Sequence, residues 1–276
     1  MKIFCALILS ALCATTGCSS TPGAVTGDGS VGASGGASGG SGAAGSGAGG
    51  AAGTTAAMNC AGSGGPVDPT ALIDDMEATD PAILMEAGRN GTWWAGGDAV
   101  SANASIVPDG DAMSELIPGG GRCGSLHAMH VTGQGFTSWA LMSVSMRYGA
   151  VDGGAAGLLP YDAHIRTGLT FWARIGDTSA AQVRLGVSDK YSRPEGGLCD
   201  ATSAATTATA CYDLFGVDLK PISTTWTQYR IPFAGLGQRN FGLPRPSLDT
   251  SSIYTIEFGF YPNTTFSFWI DDLSFY

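Results

Sequence analysis

The sequence predicts an all-β fold, an antiparallel β-sandwich of the jelly-roll kind. Three observations predict it. Short segments alternate apolar with polar positions and are rich in β-branched and aromatic residues. Clusters of Gly, Pro, Asn and Asp punctuate them. No long stretch repeats apolar residues at helical spacing. In order, Leu169-Thr170-Phe171-Trp172-Ala173-Arg174 alternates apolar and mixed positions. Val183-Arg184-Leu185-Gly186-Val187 puts its aliphatic residues on one face and Arg184 on the other. Trp226 to Phe233 groups Tyr229, Ile231 and Phe233, and Ile256-Glu257-Phe258-Gly259-Phe260 repeats the pattern. Phe266 to Ile270 comes last. Asp109-Gly110-Asp111, Pro118-Gly119-Gly120-Gly121 and Pro244-Arg245-Pro246 mark turns between strands.

The chain opens differently. Lys2 precedes an apolar run from Ile3 to Ala14, interrupted only by Ser10. A membrane-spanning helix needs roughly 20 apolar residues, so this run reads as a secretory signal peptide over residues 1–17. Thr15-Thr16-Gly17-Cys18 resembles a lipobox, with Thr15 in place of the usual Leu, which implies lipidation at Cys18. Ser19 resembles the signal for transfer to the outer membrane. Residues 19–57 are Gly, Ala, Ser and Thr apart from Pro22, Val25, Asp28 and Val31. Such a segment buries too little apolar surface to offset its chain entropy. Residues 18–58 are therefore expected to form a flexible spacer reaching roughly 35 Å. Two motifs in it, Gly32 to Gly36 (G-x-S-x-G) and Gly45 to Gly50 (G-x-G-x-x-G), lack the flanking strand and helix that would give them chemical meaning.

Residues 59–276 are expected to form one domain. Lys2 and Asp28 are the only charges outside it and they cancel, so the domain carries the whole net charge of −10. That balance repels phosphate backbones and anionic lipid. It leaves no nucleic acid among the expected partners, and contact with a membrane only through the lipid anchor. Export removes Cys5 and Cys13 with the signal peptide. Of the seven cysteines, Cys60, Cys123, Cys199 and Cys211 are then left for disulfides. Three pairings are possible. Cys199 and Cys211 flank a loop of Ala, Thr and Ser that a bridge would close, which leaves Cys60 with Cys123. A four-cysteine metal site would want a C-x-x-C pair, and none exists.

An ordered set of motifs carries a family resemblance: Leu72-Ile73-Asp74-Asp75-Met76-Glu77; Gly88-Arg89-Asn90-Gly91-Thr92-Trp93-Trp94; Thr170 to Arg174; Thr225 to Phe233; and Phe268-Trp269-Ile270-Asp271-Asp272-Leu273. The set resembles carbohydrate-binding modules with a galactose-binding-like jelly roll, family 11 and its relatives, and the lipid-anchored versions in myxobacterial-type lipoproteins. The resemblance covers nearly all of residues 72–276. It implies a monomeric domain whose partner is polysaccharide.

Asp75 and Glu77 are two apart on an expected strand and so share a face. Asp272 lies on the last strand, which in a jelly roll often neighbours the first. Oxygen ligands from both chain ends suit calcium, an ion that the resemblance makes structural. Sugar rings stack on flat apolar faces. Trp94, Trp139, Trp172, Trp226, Trp269 and Tyr261 are the aromatic candidates, and Trp94, Trp139 and Tyr261 are chosen as platforms. Arg184 points out of the core, and the polar loop Asp189 to Glu195 follows directly. Arg184, Asp189 and Glu195 are expected to cluster at a cleft and orient hydroxyls. His127 and His130, three apart, read as structural.

Three functions compete. The first is non-catalytic polysaccharide binding at the outer-membrane surface. The second is a glycoside hydrolase using two of Asp74, Asp75, Glu77, Glu195 and Glu257. The third is a protein-binding adhesive module, whose mark would be an exposed apolar patch. The resemblance favours the first.

Overall fold

Each of the five alternating segments is a strand. The computed structural model describes residues 68–276 apart from 99, 152, 153, 155, 178–181 and 203–207. The signal segment, Cys18, the linker with its two motifs and Cys60 lie outside the described residues. In chain order the strands are β1 (Leu72–Asp74), β2 (Trp93–Gly97), β3 (Ser105–Val107), β4 (Gly110–Asp111), β5 (Ser114–Leu116), β6 (His127–Gln134), β7 (Ala140–Ser145), β8 (Tyr148–Ala150), β9 (Ala156–Leu158), β10 (Gly168–Ile175), β11 (Val183–Val187), β12 (Phe215–Leu219), β13 (Thr227–Pro232), β14 (Thr255–Phe260) and β15 (Phe266–Phe275). Among the described residues there is no α-helix, only four three-residue 3-10 turns.

Two sheets make the sandwich, and every paired strand within them is antiparallel. One runs β13-β10-β15-β6-β3, with β1 beside β15 and β5 beside β6. The other runs β12-β11-β14-β7-β2-β4. Strand alternation decides which face each residue takes. In the second sheet Trp93, Val144, Ile256, Val187 and Phe215 stand in one cross-strand row. All five are buried. The two inner faces meet through aromatic rings: Phe171 of β10 meets Phe258 of β14 edge-on at 5.3 Å, and Phe260 stacks on Phe266 at 3.9 Å. Burial of each such side chain stabilises the fold by about 1.5–3 kcal/mol.

The first and last strands are neighbours, as expected, since β1 pairs with β15. The acidic residues there do not lie as expected. β1 stops at Asp74, so Asp75 and Glu77 are not on a strand. The backbone turns through a left-handed conformation at Met76. Asp74 itself is buried, accepting from the Trp93 indole Nε1 at 2.6 Å and from the Met76 amide at 3.1 Å. Burial pushes its carboxyl up to about 7. On β15 a bulge shifts the register against β10. Asp272 sits in it with positive φ, and its carboxylate turns to Arg122. The bulge leaves Asp271 fully buried.

Cys199 and Cys211 form the expected disulfide. The other pairing needs Cys60 and so lies outside the described residues.

Candidate functional site

The outward face of the six-stranded sheet carries a groove of about 220 Å³. Its floor follows from strand register. One outward row reads Trp94, Ser143, Glu257, Gly186, Gly216, and the next reads Gly96, Leu141, Gly259, Arg184, Asp218. Glycines fill four of these ten positions: Trp94 lies over Gly96, Arg184 over Gly216 and Leu214 against Gly186, and the sheet is open at Gly259. From β2 to β12 the face spans four inter-strand spacings, roughly 19 Å. The groove is smaller and more open than the roughly 300–1,000 Å³ cavities that enclose whole small molecules. Its dimensions suit a chain laid across a surface.

Trp94 stands at the β2 end and is 39% exposed. Its six-membered ring lies over Gly96, where any side chain would overlap it. Gly96 is thus needed for close approach, not for an unusual backbone angle. Next along this wall comes Trp139, which lines the groove. The buried Asp98 fixes it: the amides of Thr137, Ser138 and Trp139 all donate to the Asp98 carboxylate. Burial raises the Asp98 pKa, but these hydrogen bonds outweigh it and the net shift is downward.

The opposite wall is polar. Tyr261 donates to Asp218 at 2.7 Å and accepts from Arg239 at 2.8 Å. Arg184 crosses Gly216 and donates to the Gly237 carbonyl at 2.7 Å. Asp213 holds the loop behind them, accepting from the amides of Arg239, Phe241 and Gly242. The Cys199–Cys211 bridge ties down the stretch leading into Tyr212 and Asp213, which also line the groove.

Of the ligand-binding residues chosen from sequence, Arg184, Trp139 and Tyr261 line this groove, and Trp94 flanks it on the same face. Asp189 does not belong. It is fully buried, and its carboxylate accepts from the amides of Tyr191, Ser192 and Asp249. An aspartate at the start of a tight loop finds backbone donors before it finds a ligand. The expected Arg184–Asp189–Glu195 cluster is therefore absent, and Arg184 faces Asp218 instead. Glu195 is held by Arg193 at 3.0 Å, and the same guanidinium reaches Glu257 at 3.6 Å. Burial pushes the Glu257 carboxyl upward, with Arg193 and Thr255 opposing. Sequence reasoning missed Gly96, Asp98, Asp218 and Arg239. Asp218 had a signal: in Phe215-Gly216-Val217-Asp218-Leu219 it alternates outward as Arg184 does.

The outer face of the other sheet carries Trp226, Arg174, Trp269 and His130 in a ladder. Arg174 lies 5.3 Å from the Trp226 ring and 4.9 Å from Trp269, which stacks on His130 at 3.7 Å. Rings stacked on one another leave mainly their edges outside, and a sugar needs a face. His130 also bonds Glu115 and Ser267, and His127 pairs with Glu77.

The residues proposed for calcium do not converge. Glu77 accepts from the Ser125 hydroxyl and the Leu126 amide, and Asp272 is taken by Arg122. Among the described residues no group of three or more His, Cys, Asp or Glu is arranged to hold a metal. Asp271, however, is buried with both carboxylate oxygens short of a hydrogen bond. Burial pushes it up to about 7, with Ser125 and Arg122 opposing and the Glu77 and Asp75 charges adding to the rise.

Fold and groove together define the class: a jelly-roll β-sandwich with an aromatic-flanked polar groove across one sheet, the build of a carbohydrate-binding module. The family described as carbohydrate binding domain 30 matches residues 83–276. The chain belongs to that family. Among solved structures it is similar to a family 11 carbohydrate-binding module from Clostridium thermocellum in complex with a β-1,3-1,4-mixed-linked tetrasaccharide. Identity is 15% and the TM-score 0.45, over 74% of this chain and 94% of that one. It is similar too to the family 30 module of the cellulosomal cellulase Cel9D-Cel44B of the same organism. There identity is 14% and the TM-score 0.43, over 75% and 96% of the two chains. No curated protein matches it.

Proposed function

We propose that the protein is a non-catalytic polysaccharide-binding lipoprotein of the cell surface. The observation that carries this is the outward face of the six-stranded sheet. An exposed indole seated over Gly96 and a tethered Trp139 face an oriented Tyr261–Arg184–Asp218 network across a glycine-floored groove. Aromatic faces take the apolar side of sugar rings, and charged groups take hydroxyls through charge-assisted hydrogen bonds. Membership of a carbohydrate-binding family supports the reading. Binding without cutting is supported by the carboxylates themselves. Asp74 is sealed under Trp93, and Arg193 stands between Glu195 and Glu257, which suits an ion-pair network better than an acid–base pair. The purified protein should be retained by an insoluble or gel-embedded polysaccharide and release no new reducing ends. Release of reducing sugar, abolished by one Glu or Asp substitution, would make it a hydrolase.

The anchor and spacer complete the reading: lipid on Cys18 holds the chain at the outer membrane, and residues 18–58 let a monomeric domain reach bulky glycan. Cys18→Ser should move the protein from the membrane fraction to the soluble fraction. A wild-type protein as soluble as that variant sinks the anchor.

A further inference from the structure

Beside the polar wall that Arg184, Arg239 and Tyr261 line, Asp218 and Lys220 complete a charged cluster with an excess of cations. The chain as a whole carries 13 Lys and Arg against 23 Asp and Glu, yet here one carboxylate serves three cations. Asp218 lies 3.6 Å from Arg184 Nη1, 3.3 Å from Lys220 Nζ and 3.8 Å from Arg239 Nη2. It also accepts the Tyr261 hydroxyl. The other acids close by are engaged elsewhere: Asp213 by three backbone amides, Glu257 and Glu195 by Arg193. Among the described residues, no second carboxylate forms an ion pair with Arg184, Lys220 or Arg239. Asp213 keeps its charge under three neutral amides, so three positive charges meet two negative ones, and one is left uncompensated. The Arg239 and Lys220 side chains are 46% and 62% exposed, so they are open to a ligand. Beside Arg184, the floor at Gly259 is bare, with no atom but the Arg184 carbonyl oxygen within 4 Å of where a Cβ would stand. The repulsion is felt within the cluster, since Arg239 helps burial to lower the Arg184 pKa.

We propose that this end of the groove receives a carboxylate carried by the polysaccharide, a uronic acid residue set among Arg239, Lys220 and Arg184. The inference rests on the reading of the groove as a polysaccharide site. A guanidinium offers a carboxylate two parallel donors, and Lys220 adds a mobile point charge. The net charge of −10 opposes a dense polyanion, because repulsion from the rest of the surface acts over about a Debye length. The ligand chemistry that fits is a mostly neutral chain with scattered carboxylates.

The test measures affinity of the full-length protein for β-glucan and β-galactan, each native and after partial oxidation of C6 to the carboxylate. At least one oxidised form should bind about tenfold tighter than its parent, and the gain should vanish as salt rises from about 0.05 M to about 0.5 M. Lys220→Glu converts the balance from three cations and two anions to two cations and three anions. It should remove the gain, the oxidised form then binding no tighter than its native parent. Equal affinity for native and oxidised forms overturns the proposal and leaves polysaccharide binding standing. A gain that survives Lys220→Glu also overturns it, since the carboxylate then sits elsewhere. Failure to bind any of the four polysaccharides overturns the proposal together with the reading of the groove.

Discussion

Trp94→Ala should abolish most polysaccharide binding while leaving the fold intact. The side chain is 39% exposed, so truncation opens no core cavity. Surface changes of this kind usually stay within about ±0.5 kcal/mol of stability. Its loss from the site should cost about tenfold or more in affinity, the usual scale for a central aromatic contact. Gly96→Ala should reach a similar end by another route, by pushing the Trp94 ring off its seat. Calorimetric titration and thermal melting of the same sample separate the effects. Unchanged affinity in Trp94→Ala would remove this residue from the site.

Trp93→Ala, one residue earlier, should do the reverse. Trp93 faces the core, fully buried, with its indole N–H on Asp74. Removing a large buried aromatic typically costs about 3–5 kcal/mol. Here it also strips a buried carboxyl of a donor, and an orphaned buried group adds about 1–3 kcal/mol. For a domain of this size each kcal/mol is worth about 2–4 °C of melting temperature, so a fall of at least roughly 6 °C is expected. Affinity per folded molecule should be near wild type. A melting temperature within a degree or two of wild type would mean that the Trp93 side chain is not a core element.

These two neighbours show what strand periodicity tells and what it withholds. Alternation states that Trp93 and Trp94 face opposite sides of β2, but only the strands beside it decide which side is core. β10, β11, β13, β14 and β15 were legible because their aliphatic and aromatic residues alternate with polar ones. β2, Trp93-Trp94-Ala95-Gly96-Gly97, carries little alternating signal, and the glycines that line the groove are Gly186 of β11 and Gly259 of β14. Arg184 was correctly sent outward by its neighbours, and its true partner Asp218 is directly across the sheet. Asp189 misled because an aspartate in a polar loop reads alike whether it caps amides or meets ligand. Asp272 misled because a bulge inserts one residue, and period two carries no sign of it. The bulge turned Asp272 to Arg122 and buried Asp271. Asp75 and Glu77 were placed on a strand that ends one residue too soon.

The six tryptophans allow a direct test of the central claim, that sugar binds across the six-stranded sheet. Each indole N–H gives its own NMR signal, assignable by substitution. Titration of the isotopically labelled protein with a soluble oligosaccharide should move the signals of Trp94 and Trp139 and leave Trp172, Trp226 and Trp269, on the opposite sheet, in place. Shifts confined to Trp172, Trp226 and Trp269 would put the sugar on the other face and contradict the account.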